Sequence, residues 1–292
     1  MATVTPAHYY RLDQVLGLLA PSRLADLQLI PDLAEVRPSL VISAGEVVAR
    51  DGVALFENHD PIPDWAKDTV HLPDTLAPDV FAVPAPGDAD LVRVRAMEMY
   101  NGYFKRAFDA QLAVRDGLVQ TDVDTDVLKI AILDRHHAEH HTGIGFVRGF
   151  GLRRGAMAIT MNCPNMNVAV VGADDASMLR AVEELRAMGG GFVTVDGDEV
   201  LARVPLPVGG MMSDAPFEVT AELLRDGHAA TAALGCRIPS PYIILSFVGL
   251  YVVPDLGITE RGLIDVAGQQ FVDVLLPGPV DACGHGHTET AR

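Results

Sequence analysis

The sequence is poor in cysteine, tryptophan, aromatics and positive charge. Its 292 residues include three cysteines and one tryptophan, aromatics make up 6%, and Lys plus Arg number 22 against 39 for Asp plus Glu. Cys163, Cys236 and Cys283 are widely spaced and form no CxxC pair, which argues against a disulfide framework and against a thiolate zinc site. The formal charge of −17 argues against a nucleic-acid ligand, because phosphate recognition needs a basic surface. Long hydrophobic runs are also missing. The longest, Tyr242 to Val253, is too short to span a bilayer, and no charged leader followed by an apolar signal segment opens the chain. A cytoplasmic protein that engages neither nucleic acid nor membrane is expected.

What is present suits a folded protein. A composition 49% hydrophobic and 21% charged supplies a buried core, and the length suits one large domain or two modest ones. Residues 1–57 read as a short helix followed by a small β subdomain. Its strands fall at Ala25–Ile30, Leu40–Ile42 and Glu46–Ala49, the last two joined around Ala44-Gly45. Residues 58–90, with Pro61, Pro63, Pro73, Pro78, Pro84 and Pro86, read as a connector with little regular structure. Residues 91–280 read as an α+β domain, a mixed sheet covered by helices, and 281–292 as a flexible tail. In the main domain, strands are expected at Leu91–Val94, Lys129–Leu133, Gly145–Val147, Ala156–Thr160 and Val168–Val171. A helix over Asp174–Met188 carries Met178, Val182 and Leu185 at helical spacing and stops at Gly189-Gly190-Gly191. A hairpin around Asp196-Gly197-Asp198 and a helix from Pro216 to about Leu234 follow.

The densest chemistry lies in Asp134-Arg135-His136-His137-Ala138-Glu139-His140-His141, which holds four of the ten histidines. An extended segment would set His137, Glu139 and His141 on one side, since strand side chains alternate. Two imidazoles and one carboxylate form the facial set of mononuclear non-haem iron sites, and the same donors suit zinc or manganese. A helical segment would instead pair His136 with His140, or His137 with His141, leaving Glu139 as an acid-base group. The plainer alternative is a solvated polar loop. Asp214, in Gly209-Gly210-Met211-Met212-Ser213-Asp214, is a candidate acid-base group at a pocket, or else caps the helix from Pro216 together with Ser213. Glu98, Tyr100 and Asn101 follow the first strand of the main domain, where sites often form. His228 reads as a surface or core residue. The tail motif Cys283-Gly284-His285-Gly286-His287 reads as incidental, and nothing marks Cys163 as an activated nucleophile.

Read in order, several stretches resemble the C-terminal domain of the adenine deaminases. They are Arg23–Ile30, Leu40–Ala49, Arg135-His136-His137, Gly145–Leu152 with Arg154-Gly155-Ala156, Val170-Val171-Gly172, Pro205–Asp214, and Leu245-Ser246-Phe247 through Thr259–Val266. The opening Pro6-Ala7-His8-Tyr9-Tyr10 is similar to the last barrel helix of that family. The resemblance implies the fold of that domain and an ancestry beside a purine pocket. It also implies a metal-dependent aminohydrolase whose principal ligands, including an HxH, lie upstream of anything in this chain. Two departures stand out. Where the family carries His-Asp-Ser-His-Asn, this chain has Cys163-Pro164-Asn165-Met166-Asn167, keeping only Asn167. After Arg135-His136-His137-Ala138, where the family tends to small or neutral residues, this chain continues Glu139-His140-His141.

Three functions follow as expectations. One is a stand-alone mononuclear metal enzyme, an iron oxygenase acting on a nucleobase-like nitrogen heterocycle. It would use one divalent ion, Fe(II) favoured and Mn or Zn alternatives, held among His136, His137, Glu139, His140 and His141, with Glu139 and Asp214 as catalytic groups. The second is an adenine-deaminase-type aminohydrolase working with a separate amidohydrolase barrel. The third is a non-catalytic binding or regulatory subunit. The partners foreseen are a small heterocyclic substrate and either further copies of this chain or the barrel.

Overall fold

A computed structural model describes residues 2–57, 61–102, 104–137 and 141–278. The chain divides into two units, Met1–Pro61 and Ile62–Arg292.

The first unit begins with helix α1 (Val4–Tyr9), in which only Ala7 is buried. Four short strands, β1 (Leu27–Leu29), β2 (Leu40–Ser43), β3 (Glu46–Arg50) and β4 (Val53–Ala54), form an antiparallel sheet in sequence order. Ala44 and Gly45 join β2 to β3 with φ of 49° and 89°, the paired left-handed conformation that matches the twist of a two-residue hairpin.

The second unit is built on a nine-stranded sheet. Its strands are β5 (Leu91–Asn101), β6 (Phe104–Arg115), β7 (Leu118–Val119), β8 (Leu128–Leu133), β9 (Thr142–Arg148), β10 (Ala156–Asn162), β11 (Asn167–Gly172), β12 (Gly191–Asp196) and β13 (Glu199–Pro205). They are ordered β13-β12-β10-β11-β8-β9-β5-β6-β7, antiparallel apart from the β5–β9 pair. Every residue of β8 and β11 is buried, so these strands read as continuous apolar runs, as strands covered on both faces do. The two faces meet different partners. Small side chains of Ala131, Ala156 and Ala158 pack with Met178, Ala181, Val182 and Leu185 of helix α2 (Asp175–Met188) and with Phe81 of the connector. On the opposite face, Ile130, Ile132, Met157 and Ile159 pack with Tyr242, Leu245 and Val248 of helix α4 (Pro241–Val248). Helix α3 (Phe217–Ala233) covers β12 and β13. A small antiparallel sheet of β14 (Leu256–Thr259), β15 (Gly262–Asp265) and β16 (Gln270–Val272) lies near β9. The result is the α+β architecture expected, a mixed sheet covered by helices.

Local chemistry accounts for most element ends. The Asp174 carboxylate accepts the Ser177 N–H at 2.8 Å and starts α2, and Gly189, at φ 73°, ends it. Pro241 opens α4 at a position where a missing N–H costs nothing. Between residues 58 and 90, the described segment holds only a short 3₁₀ turn at Asp64–Ala66 and isolated bridges.

Alternation explains the approach of the small sheet. Gly143 and Gly145 lie on one face of β9; a Cβ on Gly143 would collide with the Thr259 carbonyl, and one on Gly145 would sit 3.1 Å from Ile258 Cδ1. Two glycines two residues apart let the β14–β15 hairpin rest against strand backbone. Gly143→Ala should therefore cost about 1–3 kcal/mol as an overpacking change. Urea unfolding followed by circular dichroism checks this.

Candidate functional site

The segment rich in histidine connects β8 to β9. Asp134 to His137 and His141 belong to no strand or helix, and the Asp134 N–H donates to His141 O at 3.1 Å across the base of the connection. Neither the extended nor the helical reading therefore describes these residues. Ala138, Glu139 and His140 lie outside the described residues.

Arg135 anchors the site. It is 2% exposed, and its side chain spans two neighbouring loops: Nε donates to Met166 O, and Nη2 to Gly209 O at 2.9 Å. Its backbone N–H meets Asn167 Oδ1 at 3.3 Å, and its carbonyl accepts from His71 N at 2.7 Å. Burial lowers its pKa to about 10. Gly210 is needed beside it, since a Cβ there would collide with Nη1. Thr160 holds the same glycine loop by donating to Gly210 O at 2.6 Å.

His136 and His137 each have one ring nitrogen engaged. The His136 Nε2–H donates to Asn165 O at 2.8 Å, leaving Nδ1 as the lone-pair side of the neutral ring. His137 donates Nδ1–H to Asp134 Oδ2 at 3.1 Å while 70% of its side chain stays exposed, so Nε2 is the available nitrogen. Asp134 Oδ1 accepts the His136 N–H at 2.8 Å. Burial pushes the Asp134 carboxyl up, but the His136 N–H and the His137 ring outweigh it and hold its pKa below the ordinary value. A carboxylate fixing an imidazole in this way defines a tautomer for proton transfer or ligation.

Asn167 is the one residue kept from the family segment His-Asp-Ser-His-Asn. Its carboxamide accepts from Arg135 N and donates to Glu260 Oε2 at 2.9 Å, while Asn165 reaches the same carboxylate at 3.3 Å. Glu260, in the β14–β15 turn, was missed as a site residue; its only sequence signal is its place in the Thr259–Val266 stretch of the resemblance.

The other sequence candidates fall elsewhere. Asp214 shares the loop of Gly209, yet its carboxylate pairs with Lys67 at 2.7 Å; the bond from Lys67 holds its pKa down. Helix α3 starts at Pro216 with no side-chain cap, so neither Ser213 nor Asp214 caps it. Glu98 bridges Arg106 and Arg148. His228 lies on α3 with its ring 5.8 Å from that of Tyr242, and burial lowers its pKa. Cys163 begins the β10–β11 turn, and burial raises its thiol pKa. Cys283, His285 and His287 lie outside the described residues.

Among the described residues, no group of three or more His, Cys, Asp or Glu is arranged to hold an ion. His136, His137 and His141 are present, but the donors among the described residues do not complete a set. Among the same residues no helix is long and apolar enough to cross a membrane.

The Asp134 contact has a pH signature. Its folded pKa lies below the unfolded value near ~3.9, so the stability it adds is present above that value and is lost as pH falls through the lower folded one. Asp134→Asn should cost about 1 kcal/mol at neutral pH and should shrink the acid-side loss of stability. Denaturant unfolding at several pH values between neutral and acid measures both effects.

Comparison with known proteins agrees with the resemblance. A family described as the adenine deaminase C-terminal domain matches residues 103–270. Adenine deaminase of Desulforamulus reducens is 35% identical over 278 residues, covering 94% of this chain and 47% of that protein. The adenine deaminase of Moorella thermoacetica is 38% identical, with 94% of this chain and 46% of the relative covered. That of Methanothrix thermoacetophila is 40% identical, with 91% and 46% covered. The chain thus spans about half the length of the curated relatives it matches. Each of these relatives is named a deaminase, which favours the aminohydrolase alternative and lends no support to the iron oxygenase. The chain belongs to the adenine deaminase C-terminal domain family.

Proposed function

We propose that this chain acts in hydrolytic deamination of a purine or related heterocycle, as the C-terminal portion of an adenine-deaminase-type aminohydrolase that works with an amidohydrolase barrel. The carrying observation is the extent of the match: more than nine-tenths of this chain aligns with less than half of each relative. In this reading the barrel supplies the metal ion, whose chemistry is to activate water for attack on the heterocycle.

The residues of this chain supply a positioned loop. Arg135 holds the β8–β9 connection against the β10–β11 turn and the glycine loop, and Asp134 sets His137 with Nε2 free to exchange a proton. Glu139, His140 and His141 extend the same connection in sequence and belong to the candidate set, with Asp214 as a more distant acid-base candidate held ionised by Lys67.

Ammonia release from adenine should be absent for the purified chain and should appear when the barrel portion of the Moorella thermoacetica relative is added. His137→Ala should then lower the turnover of the mixture by about 10²-fold or more, in the range of a lost acid-base group. Deamination by the chain alone would overturn the dependence on a barrel. One iron, manganese or zinc per isolated chain, lost on His137→Ala, with oxygen uptake on addition of a heterocycle, would replace this reading with an independent metal enzyme.

A further inference from the structure

A cavity lined by two arginines lies between β5, the start of β9 and the β15–β16 region. Its volume is about 550 Å³, within the range of small-molecule sites. Arg95 and Arg261 bring two guanidinium groups to it, Gln270 adds an amide, and Ile144, Leu263 and Phe271 form apolar walls.

Among the described residues the Arg95 Nε has no acceptor, for a reason visible in the strand register. Directly opposite it on β6 is Asp109, the carboxylate a cross-strand pair would use. That carboxylate is taken by Arg93, two residues back on the same face, at 2.7 Å. Arg95 Nε is buried and meets no hydrogen-bond acceptor, a costly state for a cationic donor. Its backbone is fixed by a 2.8 Å bond from its N–H to Val274 O, and Leu276 N donates to Arg93 O at 2.9 Å, so residues 274–276 run beside β5, and Val274 and Leu275 line the cavity. Arg261 reaches the same cavity with its guanidinium 5.2 Å from the centre of the Phe271 ring. Asp273 also lines the cavity, but among the described residues no ion pair joins it to either arginine.

We propose that this cavity binds a small organic anion, its phosphate or carboxylate head held by Arg95 and Arg261 and its flat apolar body against Phe271, Ile144 and Leu263. Paired guanidinium groups suit planar and tetrahedral oxyanions, and the exposed ring offers a stacking surface. With a formal charge of −17, the protein as a whole repels anions, so an anion that binds does so through a local cation pair. This inference does not rest on the proposed deaminase function.

The test uses the full chain and three probes, phenyl phosphate, benzoate and inorganic phosphate, titrated by calorimetry at low and moderate salt. Saturable binding of phenyl phosphate or benzoate is expected, and which of the two binds more tightly identifies the head group. Inorganic phosphate should bind more weakly for want of the apolar body. Arg95→Met and Arg261→Ala should each weaken the better probe by at least about tenfold, whereas Arg225→Gln, on the outer face of α3, should leave it unchanged. Thermal melting of each variant shows whether it is folded, and Arg95→Lys serves as a second variant that keeps the charge but loses the fork. No saturable binding of any probe up to about 10 mM, weaker than any specific site of this kind, would overturn the proposal. So would binding that folded Arg95 and Arg261 variants retain in full.

Discussion

A guanidinium taken out of water needs acceptors for its N–H groups, and Arg135 meets part of that demand with backbone carbonyls instead of a carboxylate. Carbonyls of two separate loops, at Met166 and Gly209, have to converge on it, and the loops stay where those bonds hold them. Gly210 keeps the space open, Thr160 holds the Gly210 carbonyl, and Asn167 ties the Arg135 backbone to Glu260. The orientation of His136 and His137 follows, because both rings are fixed by groups on this framework.

The framework can be held in this way because the sheet beneath it is buried on both faces. Small residues face α2, and larger ones face α4 and the small sheet. The β9 glycines serve the same end, letting the β14–β15 hairpin approach closely enough for its turn to deliver Glu260 to Asn165 and Asn167.

Charge is distributed unevenly over this acidic chain. Glu98 gathers two arginines and Glu184 another two, and a third carboxylate, Asp109, is committed to Arg93. Cations left without such a partner are therefore informative. Arg135 is bonded through Nε and Nη2 to carbonyls within a loop junction, whereas Arg95 lines a cavity.

Much of the fold was legible in sequence. Continuous apolar runs marked β8, β10 and β11, the spacing of Met178, Val182 and Leu185 marked α2, and turn chemistry marked the hairpins at Ala44-Gly45 and Asp196-Gly197-Asp198. The long ribbon of β5 and β6 was only begun, at Val94, because β6 mixes Lys105, Arg106 and Asp109 with apolar residues along a partly solvated edge. Helix α4 was hidden in the apolar run from Tyr242, where helix and buried strand look alike. In the site, sequence alone located Arg135-His136-His137 and the departure at Cys163–Asn167. It could not say that Asn165, Asn167, Gly209 and Glu260, far apart along the chain, meet at Arg135 and its neighbours, nor that Asp109 passes over Arg95 for Arg93. Those outcomes depend on strand register and loop approach, and residue order alone does not specify which of several nearby partners a charge will find.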